Sequence, residues 1–407
     1  MKKLLVATQY FYPENFRIND MCIEWVNRGY DVTVLTGVPN YPLGDIYDGY
    51  KREYKEEEWK GIHIVRLPIH ERGHNLLTLF LNCWTYVHYG KKWINKAVKE
   101  NGNHFPFDTI FTFEVSPMTQ ALVGAYATKK YGVKSILYVQ DLWPENVIEI
   151  MGIKNPLVIK PIENMVKKIY RDTNIILATS KSFAKTIQDK IEDKSTIEKV
   201  KYWPQYAEDF YKPLRKNTPN NKFRICFTGN IGKTQGLEIV VDAAKAIKGI
   251  YIKHKKYMDI EFIIVGDGRH RVKLETYIKN NNVENMFIFV GKKPADQIPQ
   301  ILSTCDIAFL SFINKDIFKM TIPAKLQSYM ACGMPILASA IGETKNIIEE
   351  SHSGICCNIG DVNELVDSIF YLYNNKKDLI DMGKNARFYY EQNFNKNKIM
   401  NYINDFL

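Results

Sequence analysis

The chain has 407 residues, 45% of them hydrophobic, which is long for a single core and suits two domains. No stretch approaches the roughly 18 to 20 apolar residues of a membrane span, and the N-terminal residues run into a predicted strand without a signal-peptide cleavage region, so we expect a cytosolic protein. The seven cysteines form no CxxC pair or Cys/His cluster and predict buried thiols, whereas the net charge of +10 suits nucleic acid, an anionic membrane or an anionic substrate.

The first half of the chain alternates predicted strands with helical patterns. Ile18, Met21, Cys22 and Trp25 recur on one face of a helix that we expect to end at Gly29. The predicted strands lie at residues 3–8, 31–36, 62–66, 109–113, 135–139 and 175–178. Strands that alternate with helices predict a parallel sheet covered on both faces.

Two acidic residues follow neighbouring strands of this half. Asp141 lies just after the strand at 135–139, where its carboxylate is placed to orient a hydroxyl or act as a base, or to form an Asx turn that caps the next helix. Glu114 ends the strand at 109–113 and is expected at the same rim, or alternatively caps a helix or is solvated.

The second half repeats the architecture after a break near residues 201–208 and 215–222, where proline, asparagine and lysine interrupt the alternation. Predicted strands lie at 223–228, 260–265, 286–290, 306–310 and 335–338. The predicted fold is therefore α/β, with two doubly wound, Rossmann-like parallel-sheet domains. We place the first at residues 1–200 and the second at 201–389, with a C-terminal helix at 390–407 that packs back on the first.

Glycines mark three strand ends in the second half, where doubly wound sheets bind ligands. In the segment after the first strand, Gly229 and Gly232 allow close approach of the backbone, and Lys233 favours phosphate. The other two strand ends carry Gly266 with Gly268, and Gly291. Each could be a tight turn alone, since neither the Walker nor the dinucleotide spacing is present.

The sequence of residues 319–338 predicts a loop, then a helix with a clear end, and then a strand. Pro323 suits the first turn of a helix, and Gly333 suits its end. The free N–H groups at Thr321 and Ile322, together with Lys325 one turn into the helix, would form a binding site for a diphosphate. Helix–Gly–Pro–strand units also occur in many α/β proteins without this function.

Five segments in this order resemble the retaining glycosyltransferases of family GT4, which have the two-domain GT-B fold, and the resemblance covers nearly the whole chain. The match is strongest to the L-fucosamine (FucNAc) transferase branch of surface-polysaccharide biosynthesis. The segments are Tyr10–Glu14, Gly37–Gly44, Asp141–Glu145, Phe227–Gly232 and Ile322–Pro335.

The resemblance implies a nucleotide diphospho-sugar on the second domain, an acceptor on the first, reaction in the cleft between them, and no metal or other cofactor. The two carboxylates of the family's Glu-x7-Glu motif fall on Met320 and Ser328, so Ser328 or Gln327 would offer a neutral substitute. The family's diphosphate-binding Arg and Lys fall on Asn230 and Gln235, which leaves Lys233 and Lys325 as the expected cations.

From this resemblance we expect a glycosyltransferase that moves a sugar, such as FucNAc, from a UDP-sugar to a polyprenyl-diphosphate-linked saccharide in capsule, O-antigen or exopolysaccharide assembly. The alternatives are a GT-B epimerase or phosphorylase, and a catalytically inactive sugar-nucleotide-binding subunit. Nucleic-acid binding is not expected, because the aromatic and basic residues form no recognisable binding motif.

Residues 74–96 are dense in Leu, Phe, Trp and Tyr, with Lys91, Lys92 and Lys96 at the end. This composition suits a helix in the headgroup region of an anionic membrane, which would place the protein peripherally on the inner face of the plasma membrane. The alternative is a helix buried within the first domain.

Overall fold

The computed structural model describes residues 1–42, 44–191, 193–216, 222–254 and 259–407, and all of their side chains except those of residues 251–254. Two compact units are present. The first comprises Met1–Trp203 and Tyr402–Leu407, and the second comprises Pro204–Asn401.

The first unit is built on a sheet in which every neighbouring pair of strands is parallel except one edge pair. Its strands are β1 (Lys3–Ala7), β2 (Asp31–Gly37), β3 (Lys55–Trp59), β4 (Ile62–Leu67), β5 (Thr109–Glu114), β6 (Lys134–Val139), β7 (Ile175–Ala178) and β8 (Val200–Tyr202). The spatial order is β3-β4-β2-β1-β5-β6-β7-β8, and β3 is antiparallel to β4.

The helices of the first unit are α1 (Arg17–Asn27), α2 (Leu76–Glu100), α3 (Ala121–Tyr131), α4 (Glu145–Glu149), α5 (Pro156–Asp172) and α6 (Lys181–Lys190). The predicted face of α1 is confirmed, since Ile18, Met21, Cys22 and Trp25 are its buried residues. The chain leaves this helix at Gly29, whose positive φ of 86° favours glycine. Helix α3 contacts both α2 and α5.

The second unit has a wholly parallel sheet. Its strands are β9 (Phe223–Thr228), β10 (Ile260–Val265), β11 (Phe287–Gly291), β12 (Ile307–Ser311), β13 (Ile336–Ser339) and β14 (Gly354–Cys357), in the order β11-β10-β9-β12-β13-β14. Its helices are α7 (Glu238–His254), α8 (Arg271–Asn280), α9 (Ile298–Leu302), α10 (Ala324–Ala331), α11 (Glu343–Glu350), α12 (Val362–Asn374), α13 (Lys376–Asn393) and α14 (Lys396–Asn404).

The predicted architecture of two parallel-sheet α/β domains is confirmed. Strands β3, β8 and β14 were not predicted. The single closing helix expected at 390–407 is instead the end of α13 followed by α14, and only Tyr402–Leu407 of this segment belongs to the first unit. All seven cysteines are free and buried, as predicted. Within the described residues, no helix is both long and apolar enough to cross a membrane.

Candidate functional site

The order in which strands are added to the sheet of the second unit reverses between β9 and β12. The chain adds β10 and β11 on one side of β9, and it adds β12, β13 and β14 on the other side. The two strands pair at only two positions, Ile225 with Ile307 and Cys226 with Ala308. Beyond these positions β9 continues beside β10 and β12 continues beside β13. The strands therefore separate towards their carboxyl ends, where ligands bind in doubly wound sheets.

The glycine-marked strand ends lie directly against one another at this edge. The Gly229 N–H donates to the Val265 carbonyl, and the Gly266 N–H donates to the Gly291 carbonyl, both at 2.9 Å. A Cβ atom at position 266 would lie 1.9 Å from the Gly229 carbonyl oxygen, and one at position 268 would lie 2.4 Å from that of Ile231. The backbone at these positions thus has room only for glycine, and the three predicted segments form one surface.

The loop between β9 and α7 spans the separation of the strands. It leaves β9 at Gly229 and returns to β12, where the Ser311 hydroxyl donates to the Gln235 carbonyl at 2.5 Å and the Ile313 N–H donates to that of Thr234 at 3.1 Å. The side chain of Asn230 lies beside Gly232 and Gly268. Lys233 is exposed on the same loop.

The amino group of Lys325 reaches this loop from the first turn of α10. It donates to the Gln235 side-chain carbonyl, lies 4.0 Å from the centroid of the Phe227 ring, and sits beside Gly229. Enclosure of the amino group lowers the pKa of Lys325 to about 7, because burial disfavours its charged form. Lys325, Gln235 and Gly229, predicted separately from the sequence, are therefore brought together.

Helix α10 begins at Ala324, so Pro323 precedes the helix and does not open it. Thr321 and Ile322 lie in the approach to the helix, and the free N–H groups expected there belong to its first residues instead. The Thr321 hydroxyl donates to the Ile317 carbonyl at 2.8 Å, and Ile322 is buried.

The two candidate neutral substitutes for the family's second carboxylate, Gln327 and Ser328, are both buried and turn back onto the helix. The Ser328 hydroxyl donates to the Ala324 carbonyl at 3.1 Å. The Gln327 side chain faces the Pro323 and Ala324 carbonyl oxygens at 2.8 and 3.3 Å, which places its amide nitrogen against them. Neither group presents a negative charge at the start of α10.

In the first unit, Glu114 and Asp141 are neighbours at the carboxyl ends of β5 and β6. Glu114 is buried and accepts a 3.4 Å hydrogen bond from the Asp141 N–H, which contradicts the alternative of a solvated carboxylate. Burial, and then the nearby Asp141 carboxylate, raise the pKa of Glu114 well above its usual range. The Asp141 carboxylate accepts a 2.7 Å hydrogen bond from the Ser116 N–H, so it joins the two strand ends.

Glu14 is the last residue of the segment Tyr10–Glu14, and the sequence pattern predicts no role for it. Its carboxylate accepts hydrogen bonds from the N–H groups of Phe11, Asn40 and Tyr41 at 3.1, 2.8 and 2.6 Å, which ties the loop after β1 to the loop after β2. Burial raises the pKa of Glu14 to about 7, although these three hydrogen bonds and the nearby Arg66 each act to lower it. The available signal was an acidic residue in the loop after β1, one proline beyond the aromatic residues Tyr10–Tyr12.

No group of three His, Cys, Asp or Glu side chains that could hold a metal ion occurs among the residues the structure describes.

Comparisons with known proteins identify relatives of the second unit and of the whole chain. Residues 212–388 match the family model for glycosyl transferases group 1. The chain is 24% identical over 282 residues to the probable glycosyltransferase WbjE of Pseudomonas aeruginosa, a match that covers 65% of this chain and 66% of WbjE. It is 23% identical to the putative colanic acid biosynthesis glycosyl transferase WcaI of Escherichia coli K12, over an alignment that covers 99% of each.

Among solved structures, the chain is similar to HepE of Anabaena, crystallised in complex with UDP and glucose. The TM-score is 0.68 at 16% sequence identity, and the match covers 100% of this chain and 99% of HepE. The fold is thus the GT-B fold, and residues 212–388, which lie in the second unit, are similar to the glycosyl transferases group 1.

Proposed function

We propose that this protein is a retaining glycosyltransferase that transfers a sugar from a UDP-sugar to a lipid-linked saccharide. The observation that carries this proposal is the meeting of three elements at the separation of β9 and β12: the Gly229–Gly236 loop, the amino group of Lys325 and the first turn of α10. Backbone N–H groups, a cation and a helix N-terminus together suit a diphosphate.

The nucleotide and the pathway are inferred from relatives. HepE is described in complex with UDP and glucose, and WcaI is named for colanic acid biosynthesis. By analogy, we propose a UDP-sugar donor and a role in capsule, O-antigen or exopolysaccharide assembly. The resemblance to FucNAc transferases further suggests an N-acetylated deoxyhexose as the transferred sugar and a polyprenyl-diphosphate-linked saccharide as the acceptor.

The chemistry needs alignment and charge stabilisation more than a protein nucleophile. As the bond to the sugar breaks, negative charge collects on the departing UDP, and a cation beside its diphosphate lowers the energy of that state. Lys325 and the first N–H groups of α10 would lie next to this charge, while Lys233 would approach from the exposed side of the loop. Retention would follow from attack on the face that the diphosphate leaves, as the resemblance implies.

Turnover of UDP-sugars by the purified full chain tests the proposal. The protein would be incubated with a panel of UDP-sugars, with and without lipid-linked saccharide extracted from the native membrane, and UDP release and the product anomer would be measured. Release that depends on the acceptor, with retained configuration, supports the transferase. Free sugar released without acceptor would identify an epimerase-type hydrolysis instead.

A second candidate is a sugar-nucleotide-binding subunit without catalytic activity. It is favoured by Met320 and Ser328, which stand where the resemblance expects carboxylates, and by the bond that commits the Ser328 hydroxyl to the Ala324 carbonyl. Tight UDP-sugar binding with no release of UDP, for any acceptor in the panel, would establish this candidate and contradict the transferase.

We also propose that α2 docks the protein on an anionic membrane at the cytoplasmic face. Four large apolar side chains in its first half, Leu76, Leu77, Phe80 and Trp84, are between 53% and 68% exposed. The buried residues of α2 lie on the other side of the helix and begin at Asn82. Along the exposed stripe, Phe80 and Trp84 are followed at four-residue steps by His88 and then Lys92, which is exposed.

This arrangement supports a lipid surface as the partner. Aromatic and leucine side chains suit the boundary between headgroups and acyl chains, and a lysine further along the same stripe would meet anionic headgroups. A lipid-linked acceptor never leaves the membrane, so an acceptor-binding unit needs such a contact.

A further inference from the structure

Tyr329 lies on α10 one turn beyond Lys325, and its buried hydroxyl occupies the point where β9 and β12 separate. The Thr228 N–H donates to the Tyr329 hydroxyl oxygen at 2.9 Å, and the hydroxyl donates to the Phe309 carbonyl at 3.2 Å. The Thr228 hydroxyl lies within 3.2 Å of the same oxygen.

Thr228 and Phe309 belong to the facing edges of the two strands. The last paired residues are Cys226 and Ala308, so the Thr228 N–H and the Phe309 carbonyl are among the first backbone groups that the sheet leaves unpaired across the gap. Buried backbone groups without partners are costly, and parallel strands would satisfy them by closing together. The Tyr329 hydroxyl forms a hydrogen bond with each of these two groups. Because its oxygen lies between them, the two strands stay further apart than they would if the groups bonded directly.

The position of this hydroxyl bears directly on the candidate phosphate site. Thr228 is the last residue of β9, and the next residue, Gly229, is the one that lies beside the Lys325 amino group. One helix therefore fixes the start of the loop through Tyr329 and contacts that loop through Lys325. A shift of α10 would move both contacts together.

We propose that Tyr329 is a positioning residue that holds β9 and β12 apart, so that the Gly229–Gly236 loop and the first turn of α10 take the spacing a nucleoside diphosphate requires. This inference rests on the proposed function, because it concerns the same diphosphate site. Tyr329 is fully buried between the two strands, and the role assigned to it involves no contact with a reacting atom. It acts through the strand spacing and the loop.

The test compares Tyr329→Phe with a matched control, Tyr390→Phe, by calorimetric titration with UDP and with inorganic pyrophosphate. The Tyr390 hydroxyl also makes a buried hydrogen bond to a backbone carbonyl in the second unit, that of Ala207 at 3.2 Å, but it lies on α13 outside the loop. Loss of the Tyr329 hydroxyl leaves two buried backbone groups unpaired, and we expect affinity for both ligands to fall about ten- to hundredfold. The control should stay within about twofold of the wild type.

A second measurement separates positioning from a general loss of stability. Proton uptake on UDP binding at pH 8 reports on the enclosure of Lys325, and it should change in Tyr329→Phe but not in Tyr390→Phe. Wild-type affinity and wild-type proton uptake in Tyr329→Phe would overturn the positioning role and leave the proposed function standing. Failure of the wild type to bind either ligand would overturn both.

Should Tyr329→Phe fail to fold, 4-fluorophenylalanine incorporated at position 329 keeps the ring and fills nearly the volume of the hydroxyl, but it cannot donate to the Phe309 carbonyl and accepts only weakly from the Thr228 N–H. UDP binding should then weaken with the fold intact. Unchanged affinity would overturn the inference.

Discussion

Glu14 and Asn40 are joined by a 2.8 Å hydrogen bond between a buried carboxylate and a backbone N–H, although they follow different strands of the first unit. The same carboxylate oxygen also accepts from the Tyr41 N–H at 2.6 Å. One acidic side chain thereby fixes the course of the long loop after β2, in the unit where we propose that the acceptor binds.

Replacement of Glu14 by Gln should remove a pH dependence of stability. Burial raises the pKa of Glu14 from 4.5 to about 7, so between these values the folded chain binds more protons than the unfolded chain. Its contribution to the free energy of unfolding is fully present below pH 4.5 and is lost as pH rises through about 7. From pH 5 to pH 8 the wild type should therefore lose about 1 to 3 kcal/mol relative to Glu14→Gln.

Urea unfolding of both proteins at pH 5 and pH 8 measures this difference. Glu53→Gln, at an exposed position of the same unit, is the control and should follow the wild type at both pH values. Parallel pH dependence in wild type and Glu14→Gln would contradict the prediction.

Lys325 should take up a proton when UDP binds. Its amino group has a pKa of about 7 when free, and a bound diphosphate favours the charged form and raises that pKa. Affinity for UDP should consequently fall as pH rises above about 7, by up to about tenfold per pH unit. Titration calorimetry at pH 8 in buffers of different ionisation enthalpy counts the protons. Lys325→Met should abolish the uptake, whereas Lys279→Met, at an exposed position on α8, should not.

Loss of either candidate cation should slow sugar transfer. We expect Lys325→Ala to reduce turnover about ten- to a thousandfold, as for other charged groups that stabilise a leaving group. Lys233→Ala should have a smaller effect within the same range, because solvent screens an exposed charge. Initial rates at saturating donor measure both, with circular dichroism to check the fold. Rates near that of the wild type in both variants would contradict the assignment of Lys325 and Lys233 as the cations that stabilise the leaving group.

Asp141→Asn should impair transfer much more than UDP binding, because Asp141 lies in the first unit and the candidate diphosphate site lies in the second. Asparagine retains an oxygen for the 2.7 Å bond from the Ser116 N–H, so the substitution removes the charge and spares the local structure. We expect the transfer rate to fall about a hundredfold or more, with UDP affinity within about twofold by calorimetry. A collapse of UDP affinity would instead assign Asp141 to the donor.

Membrane docking should depend on the exposed aromatic side chains of α2. The double change Phe80→Gln and Trp84→Gln should lower binding to vesicles containing anionic lipid at least about tenfold, since burial of each such side chain contributes about 1.5 to 3 kcal/mol. Phe388→Gln, at a similarly exposed phenylalanine on α13, is the matched control and should bind normally. Vesicle flotation across a salt series measures the apolar contribution, which salt leaves in place, and the electrostatic contribution, which salt screens.

The lysines of α2 supply the second part of this test. Lys92→Glu should weaken vesicle binding at low salt and lose its effect at high salt. Lys91 and Lys96 should matter less, because Lys91 lies over the Tyr126 ring and Lys96 pairs with Glu100 at 3.7 Å. No association of the wild type with anionic vesicles at low salt would rule out docking.

Much of the fold was predictable because buried parallel strands are short continuous apolar runs, which the sequence displays at β1, β5 and β10. Strand β3 was missed because Glu56, Glu57 and Glu58 give it the composition of a loop. It is an edge strand, so its charged side chains remain in solvent or pair with neighbours such as Arg66, and burial imposes no apolar pattern.

The site was less predictable than the fold. Glycines at strand ends predicted that Gly229, Gly266 and Gly291 would share an edge, since parallel strands end together. The sequence could not show that Gln327 and Ser328 turn back onto α10, or that Tyr329 reaches between two strands, because both depend on side-chain direction. Glu14 was hidden for another reason: its partners are backbone N–H groups, which leave no trace in residue identity.

The burial of all seven cysteines leaves the native surface without an accessible thiol. A cysteine introduced at an exposed position would then be the single point of attachment for a thiol-reactive dye, with no native residue to remove first. Placed at Leu77, such a dye would sit within the apolar stripe of α2, and its emission colour would report directly whether that stripe faces water or hydrocarbon.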